Sequence, residues 1–295
     1  LLRVLMPDAF HDVAACKDPP QCLLGTYEDY IRDITDWGAG TCKGHPQHLM
    51  WMHGPAGVGK SALTQSCAEI FAKRKTLVAA VFISQLNQKS NQNHILSSIA
   101  YQVATKVDPF ANILDHHIQK DPTLLTKALS EQFHQLLVDP LEELQISGFN
   151  IDKGHIIILD SLDECADLEV QTELIEVIAT SVCQQTMPFC WVLFSCSEHY
   201  IVNHLRSAHI SPLSFHVELL VSHKIDYEIL KYLVNELTKT GDKYSLSMTW
   251  FSEKDMSILV ELAARLFIYA ATVICFIGDQ NLYSEGCFYE FTKGP

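Results

Sequence analysis

The sequence predicts an α/β fold, a parallel sheet sandwiched by helices and followed by a small helical domain. Three observations carry this. Five short runs are continuously apolar rather than alternating, as strands buried on both faces of a parallel sheet must be. Helical patterns separate them, which implies right-handed crossovers with helices on both sides of the sheet. Beyond about residue 222 the strand pattern stops and only helical spacing remains.

The strand-like runs are HLMWMH (48–53), LVAAVFIS (77–84), HIIILD (155–160), CWVLFS (190–195) and the weaker FHVELL (215–220). Between them the spacing predicts helices over Ser61–Ala72, Ile95–Val107, Thr123–Leu137, Leu168–Cys183 and Tyr200–Ser207. The 71 residues from Ser84 to Gly154 are too many for one crossover and predict an extra helical excursion. The tail reads as helical through KIDYEILKYLVNELTK and SEKDMSILVELAARLFIYAATVICFIG, while NLYSEGCFYEFTKGP shows no usable period.

Composition narrows the function classes. With 48% apolar and 19% charged residues in 295, the chain is globular and long enough for one large domain and a smaller one. The formal charge of 21 − 35 = −14, with no basic run, would repel a phosphate backbone, so nucleic acid is not an expected partner. Ten cysteines include no CxxC pair, and several lie in apolar runs, which points to a reducing, cytoplasmic setting. Cys16 and Cys22 lack a second pair at zinc-ligand spacing. No run reaches the about 18 apolar residues of a membrane span. LFIYAAT with ICFIG, interrupted by Arg265 and Thr272, reads instead as a buried helix. The chain starts at Leu1 without a signal peptide, and an excised segment of a larger multidomain protein is expected.

The first motif is Gly54-Pro55-Ala56-Gly57-Val58-Gly59-Lys60-Ser61, a match to G-x-x-x-x-G-K-[ST] between a buried strand and a helix. Glycines let the backbone turn its N–H groups inward into an anion nest, which the following helix N-terminus completes. Gly54, Gly57, Gly59, Lys60, Ser61 and Ala62 are the nucleotide-contacting candidates. Lys60 would neutralise the β- and γ-phosphates and the Ser61 hydroxyl would bind Mg²⁺.

The second motif is HIIILDSLDECAD. Asp160 ends a buried strand at the carboxyl edge of the sheet, where ligands gather, and is expected beside the phosphate loop. It is the metal-site candidate with Ser61, reaching Mg²⁺ through water. Asp163 and Glu164 follow closely enough for one carboxylate to orient an attacking water while the other structures the loop. The plainer reading is acidic residues placed before the helix that starts near Leu168.

Together WMHGPAGVGKSA, LVAAVFIS and LDSLDEC resemble the NACHT domain of signal-transducing (STAND) P-loop NTPases, in the nephrocystin-like version abundant in fungal proteins. The resemblance spans roughly 16–280. CLLGTYEDYIRDITDW is similar to that family's C-x-x-GT-R opening segment, ILSSIAYQVA to its TIAYQLA helix, LSEQFHQLLVDPL to its QF-x-x-LI-x-PL helix and LAARLFIYAATVICFIGD to its GLFIYAAT helix. It implies a lead-in or linker over 1–21, a NACHT nucleotide-binding domain over 22–221, a helical subdomain over 222–280 and a linker or frayed end over 281–295. It further implies that Gly25 and Thr26 lie against the base of ATP or GTP, with Tyr27 in place of the usual Arg.

The fourth strand departs from the family. The resemblance expects S-R-x-E there, with the Arg sensing the γ-phosphate, and this chain has Ser195-Cys196-Ser197-Glu198. A thiol cannot supply a planar, permanently charged donor fork. Arg206, eight residues beyond the strand, is the available substitute. The implied function is a nucleotide-dependent switch with slow or impaired hydrolysis that controls self-association and contacts with other protein domains. The alternative is a non-catalytic scaffold descended from such a domain. An ordinary metabolic kinase fits less well, since no second substrate pocket shows in the sequence. The histidines, including His53 and the pair His116 and His117, read as strand-end and helix-surface residues, and Trp51 and Trp191 as core.

Overall fold

The computed structural model describes residues 5, 9–10, 21–42, 44, 48–84, 94–151, 154–165, 167–246 and 250–278. The elements in order are α1 (Glu28–Gly38), β1 (Leu49–Gly54), α2 (Lys60–Lys73), β2 (Leu77–Phe82), α3 (Ile95–Lys106), α4 (Asp108–Lys120), α5 (Leu129–Phe133), α6 (Asp139–Ile146), β3 (His155–Asp160), α7 (Leu168–Gln184), β4 (Phe189–Cys196), α8 (His199–Leu205), β5 (Ser214–Glu218), α9 (His223–Tyr244), α10 (Glu253–Ala263) and α11 (Phe267–Ile277). They form two compact units. The first takes in Asp29–His53 and Lys60–Glu218, and the second takes in Cys22–Glu28, Gly54–Gly59 and the chain from Leu219.

The first unit carries the five-stranded parallel sheet that the apolar runs predict, in the order β2-β3-β4-β1-β5. Every residue of β1 is buried, as is all of β3 after His155, which is the double-sided burial that removes the alternating pattern. The strand ending in Asp160 does not pair with β1, because β4 is inserted between them. Trp51 and Trp191 are core residues, 0% and 1% exposed. The Trp51 indole N–H donates to Ser195 Oγ at 2.9 Å, and its ring stacks on His53 at 4.0 Å.

The excursion between β2 and β3 is α3 to α6. The helix predicted over Thr123–Leu137 is differently built: Pro122–Thr126 is a 3₁₀ turn, and a helical run then extends from Leu129 to Ile146. Its middle, His134–Val138, is a π-turn in which the Asp139 N–H donates to His134 O. Pro140 follows at once; it offers no N–H to continue the ladder, and a one-residue slip just before it accommodates the ring. Neither α1 nor this slip was expected from the pattern. Phe10 forms an isolated antiparallel bridge to Val81 at the sheet edge.

The second unit is helical after Leu219. α9 buries Ile225, Ile229, Leu233 and Leu237, a strict four-residue spacing on one face. A capping box at Ser252 and Asp255 starts α10. The tail read as continuous helix is interrupted at Ala264 and Arg265, both left-handed at φ 48° and 66°. α11 buries Ala270, Val273 and Ile277. Among the described residues no helix is long and apolar enough to cross a membrane.

Candidate functional site

In the first unit α2 opens with Lys60, whose side chain is buried at 8% exposure although it carries a charge. Its Nζ donates to Cys196 Sγ at 3.2 Å, so the thiol standing where the family resemblance expects arginine meets the lysine directly. One turn further on, the Thr64 hydroxyl lies 2.8 Å from Asp160 Oδ1. Ser61 also bonds the Asp160 carboxylate, and Ser161 Oγ donates to Asp160 Oδ2 at 3.1 Å. Asp160 is 2% exposed. Burial raises its pKa, and the three hydroxyls and the Lys60 charge pull the other way. Thr64 was missed in the sequence, although its position four residues after Lys60 puts both on one helix face.

Ser161 turns the chain off β3 in a left-handed conformation, φ 57°, into the 3₁₀ turn Leu162–Glu164. That turn sends Asp163 to the end of β4, where its Oδ1 accepts the Cys196 N–H at 2.7 Å. Asp163 therefore ties two strand ends together, and Glu164 follows it as the last residue of the same turn. Burial, with Asp163 second, pushes the Cys196 thiol up to about 11 against the opposing pull of Lys60. It is a neutral thiol at pH 7. Arg206, the substitute named above, caps α8, and its charge acts on His53 and His216.

In the second unit the loop Gly54–Gly59 turns through left-handed glycines, φ 77° at Gly57 and 100° at Gly59. A Cβ on Gly57 would stand 2.4 Å from Ile268 Cγ2, so no side chain fits. Gly57 O accepts the Ile268 N–H at 3.0 Å, and Val58 O accepts the Tyr27 hydroxyl. Gly25 is also left-handed, φ 86°, with its carbonyl 3.4 Å from Lys231 Nζ. The Thr26 hydroxyl closes its own turn onto Leu23 O at 2.7 Å. Gly25 and Thr26 thus belong to the same compact unit as the glycine loop, whereas Lys60, Ser61, Ala62, Asp160, Asp163 and Glu164 belong to the other. The loop runs through the chain directly into Lys60.

The nephrocystin 3 N-terminal family model matches residues 26–196, which is more than half of the chain. The chain belongs to the nephrocystin 3 N-terminal family. The matched span holds both motifs of this family member and stops at Cys196, before α9 to α11. No curated protein matches it in sequence.

Solved structures similar to this nephrocystin 3 N-terminal family chain include the Aeropyrum pernix ORC1 protein in complex with DNA, at TM-score 0.57 and 14% identity over 93% of this chain and 66% of that one. Cdc6p from Pyrobaculum aerophilum is similar at TM-score 0.53 and 14% identity, over 88% and 62%. The Aeropyrum pernix ORC2 protein in ADPNP–ADP complexes is similar at TM-score 0.53 and 14% identity, over 92% and 69%. The chain spans a little under two-thirds of the length of the first two. At such identities the likeness is one of fold, a parallel sheet with flanking helices followed by a helical part.

The donor set suits a phosphate-bearing ligand with a hard cation. Among the described residues no cluster of three His, Cys, Asp or Glu could hold a metal. One carboxylate beside serine and threonine hydroxyls is a set of hard oxygen donors, and Asp160 with Ser61 would be the residues to hold a hard cation such as Mg²⁺.

Proposed function

We propose that this chain is a nucleotide-binding switch module of the NACHT/STAND class, taking ATP or GTP with Mg²⁺, slow in hydrolysis and controlling self-association of a larger protein. The observation that carries the reading is the buried Asp160 carboxylate gathering the hydroxyls of Ser61 and Thr64 next to the buried Lys60. A charged lysine and a carboxylate are costly to bury. They are expected together where a ligand brings compensating charge.

Gly54, Gly57 and Gly59 turn the backbone around the phosphates, Lys60 neutralises them, and Ala62 continues the first turn of α2. Gly25 and Thr26 line the base side. Ser61 and Asp160 would hold Mg²⁺, which supplies charge neutralisation at the phosphate oxygens when bound. Glu164 orients the attacking water, and Asp163 holds the loop by its bond to the Cys196 N–H. Hydrolysis is slow because Cys196 is neutral and brings no positive charge to the departing phosphate. A cytoplasmic setting and protein rather than nucleic-acid partners fit the charge of −14. That the similar ORC2 structure is of ADPNP–ADP complexes supports nucleotide as the ligand class.

The test is Mg²⁺-dependent binding of labelled ATP and GTP, with Lys60→Ala as control, followed by phosphate release in the same tube. Binding that disappears in Lys60→Ala with little release is the expected result; no binding sinks the switch. A second reading, a non-catalytic scaffold, is favoured by the Lys60–Cys196 contact, which engages the lysine with a protein group. Single-turnover hydrolysis that is lost in Asp160→Ala would exclude it.

A further inference from the structure

A phosphate-holding loop works only if its peptide N–H groups point at the ligand, and a trans peptide plane sends its carbonyl the opposite way. No peptide among the described residues is cis. Whatever grips a carbonyl on the outside of the loop therefore aims the N–H of the next residue to the other side. Two carbonyls are gripped in this way.

Gly57 O accepts the N–H of Ile268, the second residue of α11, at 3.0 Å. The first four N–H groups of a helix have no partner within it, so this donor is free to serve the loop. Val58 O accepts the hydroxyl of Tyr27. Tyr27 is itself fixed: it is 3% exposed, sits at φ 54°, donates its own N–H to Glu228 Oε1 at 3.2 Å, and lies 5.6 Å from the Phe267 ring. All of these residues lie in the second unit with Gly54–Gly59. Ile268, Phe267 and Glu228 lie outside the span 26–196 that defines the family.

We propose that Tyr27 and Ile268 are positioning residues of the phosphate loop: by holding the Val58 and Gly57 carbonyls they aim the Gly59 and Val58 N–H groups at phosphate. The inference rests on the nucleotide reading above and extends it to the helical tail. α11 thereby becomes part of the nucleotide-holding apparatus, with Tyr27 and Ile268 acting through the loop backbone rather than by touching nucleotide themselves. Gly57 completes the arrangement, since its missing side chain is what lets Ile268 approach.

The experiment separates the carbonyl grip from general packing. Tyr27→Phe keeps the ring and removes the hydroxyl; Ile268→Pro removes the N–H in a first turn that tolerates proline; Ile268→Ala keeps the N–H. The full chain is measured by NMR without nucleotide, for the amide order parameters of Val58 and Gly59, and then for MgATP affinity. Tyr27→Phe and Ile268→Pro are expected to lower the order parameters from the rigid value of about 0.85 toward about 0.6. Each is expected to raise Kd by about two- to tenfold, the effect of one net hydrogen bond, with Ile268→Ala close to wild type. Unchanged order parameters and Kd in Tyr27→Phe would overturn the proposal, even where Ile268→Pro fails to fold. If the order parameters fall but wild type binds no MgATP, the positioning stands and the nucleotide reading fails.

Discussion

Cys196, Asp160 and His53 each make a prediction at the scale of one side chain. Cys196→Arg would place a permanent charge beside Lys60 and Asp163, and phosphate release is expected to rise by about tenfold or more, short of the about 10³–10⁵ of an arginine finger. A colorimetric phosphate assay under single-turnover conditions checks it, and release no faster than wild type would show that the thiol is not what limits hydrolysis. Asp160 folds with a raised pKa, so stability is lost as pH climbs from the ordinary carboxylate value of 3.8 through the raised one. Asp160→Asn is therefore expected to keep or raise the melting temperature near pH 7 while abolishing the Mg²⁺ dependence of nucleotide binding. His53 is lowered from 6.5, chiefly by burial and further by Arg206 and Lys60, against a raising influence from Glu218. His216 is lowered in the same way, with His53 and Arg206 adding to burial. The unfolded chain takes up these protons first. The contribution is thus full above pH 6.5 and disappears as pH falls through the lowered values. Melting temperatures measured from pH 7.5 down to 5 should drop below about 6.5, with a shallower drop in His53→Gln.

At the scale of elements, the capping box of α10 supplies a local test. Ser252 Oγ accepts the Asp255 N–H at 3.2 Å while Asp255 receives the Ser252 N–H at 2.9 Å. Ser252→Ala is expected to cost about 1 kcal/mol, read by urea denaturation of the helical unit's tryptophan, Trp250. Elements were legible where a local rule made them so. β1 to β4 are largely contiguous apolar runs, with β5 (Ser214–Glu218) a weaker one, and α2, α3 and α7 carry regular apolar spacing between them. The rules failed where a distant constraint decided the outcome. Asp139 and Pro140 turned a predicted helix end into a π-slip within a longer run, because a proline inside a packed helix can be accommodated by shifting one hydrogen bond. The unbroken helical pattern from Ser252 to Gly278 hid the left-handed pair Ala264 and Arg265, which redirects the chain so that α11 presents its first turn to Gly57.

For the molecule as a whole, Mg²⁺-nucleotide is expected to change the protease pattern and the sedimentation of the purified chain, and Lys60→Ala to abolish both changes. Identical behaviour with and without nucleotide would leave the scaffold reading. The sequence by itself determined the alternation of strands and helices, the glycine loop with Lys60 and Ser61, and the buried acid Asp160, because each is written within a dozen consecutive residues as burial, turn chemistry or spacing. Only the tertiary structure decided that β4 lies between β1 and β3, which brings the Cys196 thiol against Lys60, and that Tyr27 and Ile268 grip the Val58 and Gly57 carbonyls. Those partners are far apart in the chain, and no periodicity of side chains records which distant backbone groups a fold will bring within hydrogen-bonding distance.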